Sequence, residues 1–323
     1  NRIFGLQKKN WGGSLILRWK KGWKRPSPIS GAFSRNKVSQ PQRLLKGFQL
    51  HAAPQGRQPG NYGAIHLPGV RHAKQPDASN KEIYSVQATV RTYESGANGL
   101  MKPETVLHWF QEIAEAHASC LGFGYDFVTS RSLAWVEVRM DAAVSRLPRW
   151  KETVELRTWT AQETPLLARR NLEIRDAQGN CIVAASCLWA VIDIRRRRPV
   201  PLNRHISSFP DTPCKETVAP VSMDISELLP MIREWTAERR DTDFNRHINN
   251  AAYLVWALDS LPDSWLKNHQ LTGIHLHFRK ETHAGDSMKS LLFFRDSLTS
   301  HHLMHGDELR AEAVLEWKTS EIA

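Results

Sequence analysis

The segment Arg240-Asp-Thr-Asp-Phe-Asn-Arg-His-Ile-Asn-Asn-Ala-Ala-Tyr253 contains the densest polar stretch of this chain of 323 residues. It runs directly into Ala251–Leu258, which is the longest uninterrupted apolar run in the sequence. Asparagines before an apolar run are typical helix N-caps, because their side-chain oxygen accepts a free backbone N–H. The pattern predicts a loop over Asp241–His247 and a helix over Asn250–Leu258.

A similar loop and helix occur once earlier in the chain, and several residue types recur at fixed offsets. The pairs at an offset of 147 residues are Asn98/Asn245, Leu107/Leu254 and Trp109/Trp256, and those at 128 residues are Ala185/Ala313 and Trp189/Trp317. The order of helix and strands also agrees between the two parts. We therefore interpret the sequence as a duplicated α+β unit of about 120 residues.

Each unit combines one long helix with an antiparallel meander of strands. Pro103 opens the first helix, whose apolar stripe is Val106, Phe110, Ile113, Ala114 and His117. Strands are predicted at 83–92, 133–140, 154–159, 168–174 and 182–194, and again at 274–278, 288–296, 300–305 and 309–317. The commonest unit of this kind is the hotdog fold, in which a curved antiparallel sheet wraps a long helix. The fold class predicted here is α+β with tandem hotdog domains.

Basic residues are concentrated at the start of the chain. Residues 1–80 contain 15 Lys+Arg and a single acid, Asp77, which gives this segment a net charge of +14. The segment keeps no helical or strand period, so we predict a disordered basic leader. Three origins stay open: an organelle transit peptide, a basic arm for nucleic acid or membrane, and a misplaced start or vector-derived remnant.

The rest of the chain divides at a proline-rich segment. Pro210, Pro213 and Pro220 predict a connector over 209–228, between an N-terminal hotdog domain at 81–208 and a C-terminal one at 229–323. No apolar run approaches the roughly 20 residues of a membrane-spanning helix. Cys120, Cys181, Cys187 and Cys214 lack CxxC spacing, which predicts neither a disulfide framework nor a zinc site.

Asp243, Asn245 and His247 alternate along the polar segment, so in an extended loop their side chains point to one side. A carboxylate, an amide and an imidazole supply an orienting group, an oxyanion donor and an acid or base. The helix N-terminus that follows favours negative charge nearby. Spacing alone slightly favours a simpler interpretation, a polar loop of Asx turns and helix caps.

The segment D-x-D-x-N-x-H-x-N-N-x-x-Y, followed by Trp256, resembles the acyl-acyl carrier protein thioesterases of plant plastids and bacteria. The stretch His277-Phe-Arg-Lys-Glu-Thr282 is similar to the Y-R-R-E-C segment of that family. Further similar stretches are Ala134-Trp-Val136, Pro148-Arg-Trp150, Val154–Trp159 and Ala168-Arg-Arg170. The resemblance extends over residues 83–317 and leaves the leader without a counterpart in the bacterial members.

The resemblance implies a catalytic set of Asp243, Asn245, His247 and Glu281, with no metal and no cofactor. Thr282 stands where many plant members have Cys, and Thr without an activating base is a poor nucleophile. We therefore predict direct hydrolysis, with Glu281 as general base on a water and Asn245 polarising the thioester carbonyl. In this mechanism His247, oriented by Asp243, holds the network or protonates the leaving thiolate. Whether Glu281 or His247 is the base stays open.

Substrate-binding residues are predicted from side-chain character. Trp109, Trp135 and Trp189 are expected to line an acyl tunnel in the N-terminal domain. The run Arg195, Arg196, Arg197 and Arg198, together with Arg169 and Arg170, is expected to dock an acidic carrier protein, the alternative being a solvated turn. We interpret His275 and His277 as exposed on a solvent-facing strand rather than as metal ligands.

The function implied by the resemblance is hydrolysis of fatty acyl-acyl carrier protein, which releases free fatty acid and terminates fatty acid synthesis. The alternatives are an acyl-CoA thioesterase and a nucleic-acid-binding protein acting through the leader. Residues after 80 carry 29 Lys+Arg and 32 Asp+Glu without a basic stripe, which argues against nucleic acid. The acyl carrier protein is the expected partner, and a homodimer is left open. The expected location is the cytoplasm for a bacterial source, or a plastid if the leader is a transit peptide.

Overall fold

The computed structural model describes residues 82–206, 212 and 218–320. The predicted leader lies outside these residues, as does part of the predicted connector. The helices are α1 (Pro103–Cys120), α2 (Tyr125–Ser130), α3 (Asn250–Asp259) and α4 (Asp263–Asn268). The strands are β1 (Ile83–Thr89), β2 (Leu133–Val144), β3 (Thr153–Thr164), β4 (Leu167–Arg175), β5 (Cys181–Asp193), β6 (Arg198–Pro199), β7 (Met231–Thr236), β8 (His269–Phe278), β9 (Ser287–Arg295), β10 (Leu298–His305) and β11 (Glu308–Thr319).

One continuous antiparallel sheet contains the strands of both halves, in the order β1-β3-β4-β5-β2-β8-β11-β10-β9-β7, with β6 paired to β5. The second half of this order repeats the first in reverse, because β7 to β11 take the places of β1 to β5. The two five-strand sets meet where β2 pairs with β8 from Arg139↔His277 to Ala143↔Gly273. The chain thus forms two related halves joined edge to edge, as the predicted duplication requires.

Each half has one main helix packed on the sheet, and the sequence explains where each of these helices begins. Helix α1 begins at Pro103, whose missing N–H is one that a first helical turn leaves unbonded. Helix α3 begins after Asn249, whose side-chain oxygen accepts the Ala251 N–H at 2.8 Å. The predicted apolar stripe of α1 is buried throughout, and it shares one hydrophobic core with α3 and both halves of the sheet. The tandem hotdog prediction is confirmed.

The short elements were not predicted from the sequence. Strand β7 is exposed along most of its length, so it lacks the alternation that marks a half-buried strand. Helices α2 and α4 have six residues each, which is too short for a helical period to be detected. Among the described residues, no helix is long and apolar enough to cross a membrane.

The interpretation of His275 as an exposed strand residue is wrong. Because β8 lies between β2 and β11 in the middle of the joined sheet, His275 is buried. Its two ring nitrogens lie 3.1 Å from Asp141 Oδ1 and 2.9 Å from Glu316 Oε1. These hydrogen bonds outweigh burial and raise the imidazole pKa. His277 is also largely covered, and burial lowers its pKa to about 3.

Candidate active site

The polar loop before α3 forms a tight frame of backbone hydrogen bonds. Thr242 and Ile248 pair as an isolated antiparallel bridge, and the Asp243 N–H donates to the His247 carbonyl oxygen at 2.8 Å. At the tip, Arg246 has a φ of +67°, in the left-handed region that glycine usually occupies. The Ile248 N–H donates to the Thr282 carbonyl oxygen at 2.9 Å, which ties the loop to the segment after β8.

The first half contains the same frame, with its loop offset by 147 residues and the segment that ties the loop offset by 134. Ser95 pairs with Met101, and Gly99 has a φ of +73° at the position of Arg246. The Met101 N–H donates to the Pro148 carbonyl oxygen, just as the Ile248 N–H does to that of Thr282. The predicted duplication therefore extends to individual hydrogen bonds.

The two copies of the frame differ in the side chains they carry. Gly96 and Leu100 occupy the positions of Asp243 and His247, whereas Asn98 matches Asn245. Leu147, the residue before Pro148, takes the place of Glu281. These positions in the first half therefore have no acid, base or carboxylate. Of the two described frames, only the second carries groups suited to acid–base chemistry.

In the second half, the frame brings His247 and Glu281 together. Their nearest side-chain atoms, Nε2 and Oε2, are 3.6 Å apart, and the side chains are 29% and 12% exposed. Burial lowers the pKa of His247, and the charge of Asp243 opposes that effect. The two groups thus lie in contact at a partly covered site that a substrate can reach.

Asp243 contacts the loop rather than the His247 ring that it was predicted to orient. Its Oδ1 accepts the backbone N–H of His247 at 3.1 Å. Its Oδ2 lies 3.4 Å from the side-chain nitrogen of Asn245, which is exposed at the tip of the loop. Asp243 therefore fixes the backbone of the loop and draws the Asn245 amide towards itself.

Neither Thr282 nor any cysteine of the described residues offers a nucleophile at this site. Thr282 is fully buried, and its backbone carbonyl is the one that holds the loop. Of the described cysteines, Cys120 and Cys181 are exposed elsewhere and Cys187 is buried in β5. The geometry fits attack by water better than attack by a side chain.

The N-terminus of α3 is linked to the first half by two asparagine side chains. Asn249 donates to Gln111 Oε1 on α1 at 3.1 Å, and Asn250 donates to Glu137 Oε2 on β2 at 2.8 Å. Glu137 is buried, and desolvation raises the pKa of its carboxyl to about 7. The sequence reasoning missed Gln111 and Glu137, because no local pattern shows which α1 and β2 residues face the other half.

A pocket next to this junction lies between α1 and the first-half sheet, with an empty volume of about 500 Å³. Its lining includes Trp135, Trp189, Phe123 and Ala118. A smaller space of about 270 Å³ shares Gln111 and Trp189 with this pocket and adds Glu137 and Cys187. Two of the three predicted tunnel tryptophans therefore line the pocket.

Of the other predicted binding residues, Arg169 and Arg170 line the larger pocket, and the rest lie outside it. Trp109 lines neither pocket, because its Nε1 donates to Glu94 Oε1 at 3.0 Å beside the helix start. Arg170 is buried, with a guanidinium nitrogen 3.1 Å from both His117 Nδ1 and Thr158 Oγ1, so it cannot dock a carrier protein. Arg169 forms an ion pair with Glu163 at 2.8 Å. Arg195–Arg198 alone of this set is fully exposed, on the turn after β5.

Two hotdog halves, with one acid–base cluster at the second loop, define a double hotdog protein of the thioesterase type. The chain belongs to the acyl-ACP thioesterase family: the model of the N-terminal domain matches residues 81–208, and that of the C-terminal domain matches residues 230–319.

Several known proteins are similar to this chain. The palmitoyl-acyl carrier protein thioesterase of Cuphea hookeriana chloroplasts is 30% identical over 230 residues, which are 65% of this chain and 54% of that protein. The oleoyl-acyl carrier protein thioesterase of Coriandrum sativum chloroplasts is 32% identical over 227 residues, 64% of this chain and 62% of that protein. The chain thus spans a little over half the length of the curated relatives.

Solved structures agree with the fold. A 12:0-ACP thioesterase from Umbellularia californica is 25% identical, has a TM-score of 0.65, and matches over 74% of this chain and 98% of that one. An acyl-ACP thioesterase from Bacteroides thetaiotaomicron is 22% identical, has a TM-score of 0.67, and matches over 75% of this chain and 99% of that one. The double hotdog fold is therefore shared by plant and bacterial relatives.

Proposed function

We propose that this chain hydrolyses the thioester of fatty acyl-acyl carrier protein, releasing free fatty acid and ending chain growth. The observation that carries the proposal is the contact between His247 of the loop and Glu281 of the segment after β8. The matching positions of the first half carry leucines. Membership of the acyl-ACP thioesterase family supports the substrate class. In the proposed domain division, residues 81–208 bind the acyl chain, 209–228 connect, and 229–323 catalyse.

In the proposed mechanism Glu281 acts as general base on a water that attacks the thioester carbonyl. The Asn245 amide and the N-terminus of α3 stabilise the negative charge that develops on the carbonyl oxygen. His247, in contact with Glu281, holds the network or delivers a proton to the leaving thiolate. Asp243 keeps the loop closed through the His247 backbone N–H.

The test is an assay of the purified chain with acyl-acyl carrier protein and acyl-CoA thioesters of graded chain length. We expect release of free thiol from the carrier-bound substrates and a chain-length optimum. A chain lacking residues 1–80 should retain hydrolysis, because the family match begins at residue 81. Hydrolysis of CoA thioesters alone would favour the acyl-CoA alternative. If removal of residues 1–80 abolished all activity, the proposal would be contradicted.

The exposed turn Arg195–Arg198 supports a proposal for carrier docking. It lies at the end of β5, the strand that carries the pocket residue Trp189. Asp193 accepts the backbone N–H groups of Arg195 and Arg196, and of the four guanidinium groups it forms an ion pair only with that of Arg196, at 3.5 Å. The guanidinium groups are therefore largely available to an acidic partner.

We expect that changing Arg195–Arg198 to Gln raises KM for the carrier-bound substrate by about tenfold at low salt, because electrostatic attraction speeds association. The effect should shrink near 0.15 M salt, where screening limits such contacts to about 8 Å. The internal control is the matching CoA thioester, whose kinetics should hardly change. Equal losses with both substrates would assign the turn to structure, and no loss would make it a solvated turn.

The plastid is proposed as the site of action. The named plant relatives are chloroplastic proteins, and residues 1–80 have the basic, nearly acid-free composition of a transit peptide. Import of the full chain into isolated chloroplasts, with removal of the leader, is the corresponding measurement.

A further inference from the structure

A third titratable side chain lies beside the proposed catalytic pair. His283, two residues after Glu281, packs its ring against that of His247 edge to face, with 5.3 Å between the centroids. Metal-ligating atoms of His247, Glu281 and His283 all lie within 4.8 Å of one another. The proposed hydrolysis uses only the first two, so the mechanism gives His283 no task.

The three groups match a known type of metal coordination. Two imidazoles and one carboxylate form the ligand set of several zinc enzymes, with the fourth position left to water or substrate. Atoms bound tetrahedrally at zinc distances are about 3.4 Å apart. The 3.6 Å between His247 Nε2 and Glu281 Oε2 is already close to that value.

The backbone holds the three ligands on a fixed frame. The Ile248 N–H donates to the Thr282 carbonyl oxygen. His247 precedes the donor residue, and Glu281 and His283 lie on either side of the acceptor residue. Arg310 donates to the Glu281 carbonyl oxygen at 2.8 Å, and the His283 N–H donates to Asp286 Oδ2 at 3.0 Å. All three side chains are partly exposed, so a hydrated cation can reach them.

The first half indicates that the fold does not require this cluster. The residues at the three matching positions are Leu100, Leu147 and Arg149, and none of them would bind a cation. The hydrogen bond from the Met101 N–H to the Pro148 carbonyl oxygen matches that from Ile248 to Thr282, so the backbone frame forms without the ligands.

We propose that His247, Glu281 and His283 bind a zinc-type divalent cation, which blocks hydrolysis reversibly. The bound ion occupies the Nε2 of His247 and a Glu281 oxygen, so neither can move a proton to or from water or thiolate. The blocking effect rests on the proposed function, whereas the binding does not. Mg²⁺ should not bind, because it prefers oxygen ligands in an octahedral set.

The test measures binding before activity. The full chain is stripped with EDTA and titrated with Zn²⁺ against a chromogenic chelator, and Co²⁺ is used to follow the visible spectrum. We expect His283→Gln to weaken Zn²⁺ binding at least about tenfold and to abolish the Co²⁺ spectrum, because it removes one of three ligands. His283→Asp restores a ligand and should recover much of the affinity. His305→Gln, a histidine outside the cluster, is the matched control.

The activity arm uses the same variants. Zn²⁺ should inhibit the unaltered chain with an inhibition constant equal to its dissociation constant. His283→Gln, measured against its own metal-free rate, should need at least about tenfold more Zn²⁺ for the same fractional inhibition. Equal Zn²⁺ affinity in the unaltered chain and in His283→Gln would overturn the site. Binding that depends on His283 in a protein without thioesterase activity would instead overturn only the proposed function.

Discussion

Glu281→Gln is expected to lower kcat/KM for acyl-acyl carrier protein by at least about 100-fold, because general-base catalysis contributes on that scale. The amide keeps the size of the side chain but cannot accept a proton from water. The backbone contacts of residue 281, including the hydrogen bond from Arg310, are unchanged. Ala variants of Asp243, Asn245 and His247 should fall by a similar factor, and thiol release under steady-state conditions measures all four.

The neighbouring Thr282 provides the matched control. Its side chain is buried behind the loop, and its structural contact, the carbonyl oxygen bonded to Ile248, survives in Thr282→Ala. We expect Thr282→Ala to lose less than about tenfold in kcat/KM, with any loss coming from packing. Near-normal activity in Glu281→Gln would refute the mechanism, and an inactive Thr282→Ala would show a role for the hydroxyl. Thermal unfolding of each variant separates a chemical loss from a folding loss.

Glu137→Gln is expected to change stability rather than chemistry. Burial raises the folded-state pKa of Glu137 to about 7, whereas the unfolded carboxyl titrates near 4.5. Between these values the folded protein keeps a proton that the unfolded chain releases, so the free energy of unfolding decreases as pH rises. The decrease from this one group is on the order of 3 kcal/mol.

The measurement is urea unfolding of both proteins at pH 5 and pH 8. Gln at position 137 has no charge to bury and still accepts the Asn250 amide, so its free energy of unfolding should fall less over this interval. Glu227→Gln, at an exposed position, serves as the control and should behave like the unaltered chain. An identical pH dependence in Glu137→Gln would mean that the carboxyl is already charged, or well solvated, in the folded protein.

The long elements could be predicted because their signals are local. Pro103 and Asn249 mark helix starts through their own backbone chemistry, and the buried α1 stripe follows helical spacing. The loop residues Asp243, Asn245 and His247 could be identified because they are close in sequence. Glu281 was identified only by resemblance, because it lies 34 residues after His247 in the sequence and no local pattern connects the two.

Two of the differences between prediction and structure share one physical cause, which is the joining of the two sheets. His275 and His277 are two residues apart, and this spacing occurs both on exposed strands and on strands paired at both edges. The burial of His275 could therefore not be inferred from the sequence. The partners of Glu137 and Gln111 come from the other half for the same reason. Arg170 has a different cause: β4 lies between β3 and β5 within the first half, where His117 and Thr158 cover its guanidinium group.

Because the loop frame occurs twice in one chain, its two copies can evolve independently. The subunits of a symmetric homodimer have the same sequence, so a substitution changes both sites. A substitution that harms catalysis cannot then be confined to one site. A single chain with two copies allows each to vary alone. Here the first copy carries Leu100 and Leu147, while the second keeps His247 and Glu281 in contact. Under the proposed domain division, the first half can therefore vary its interior without any change to the His247–Glu281 pair of the second half.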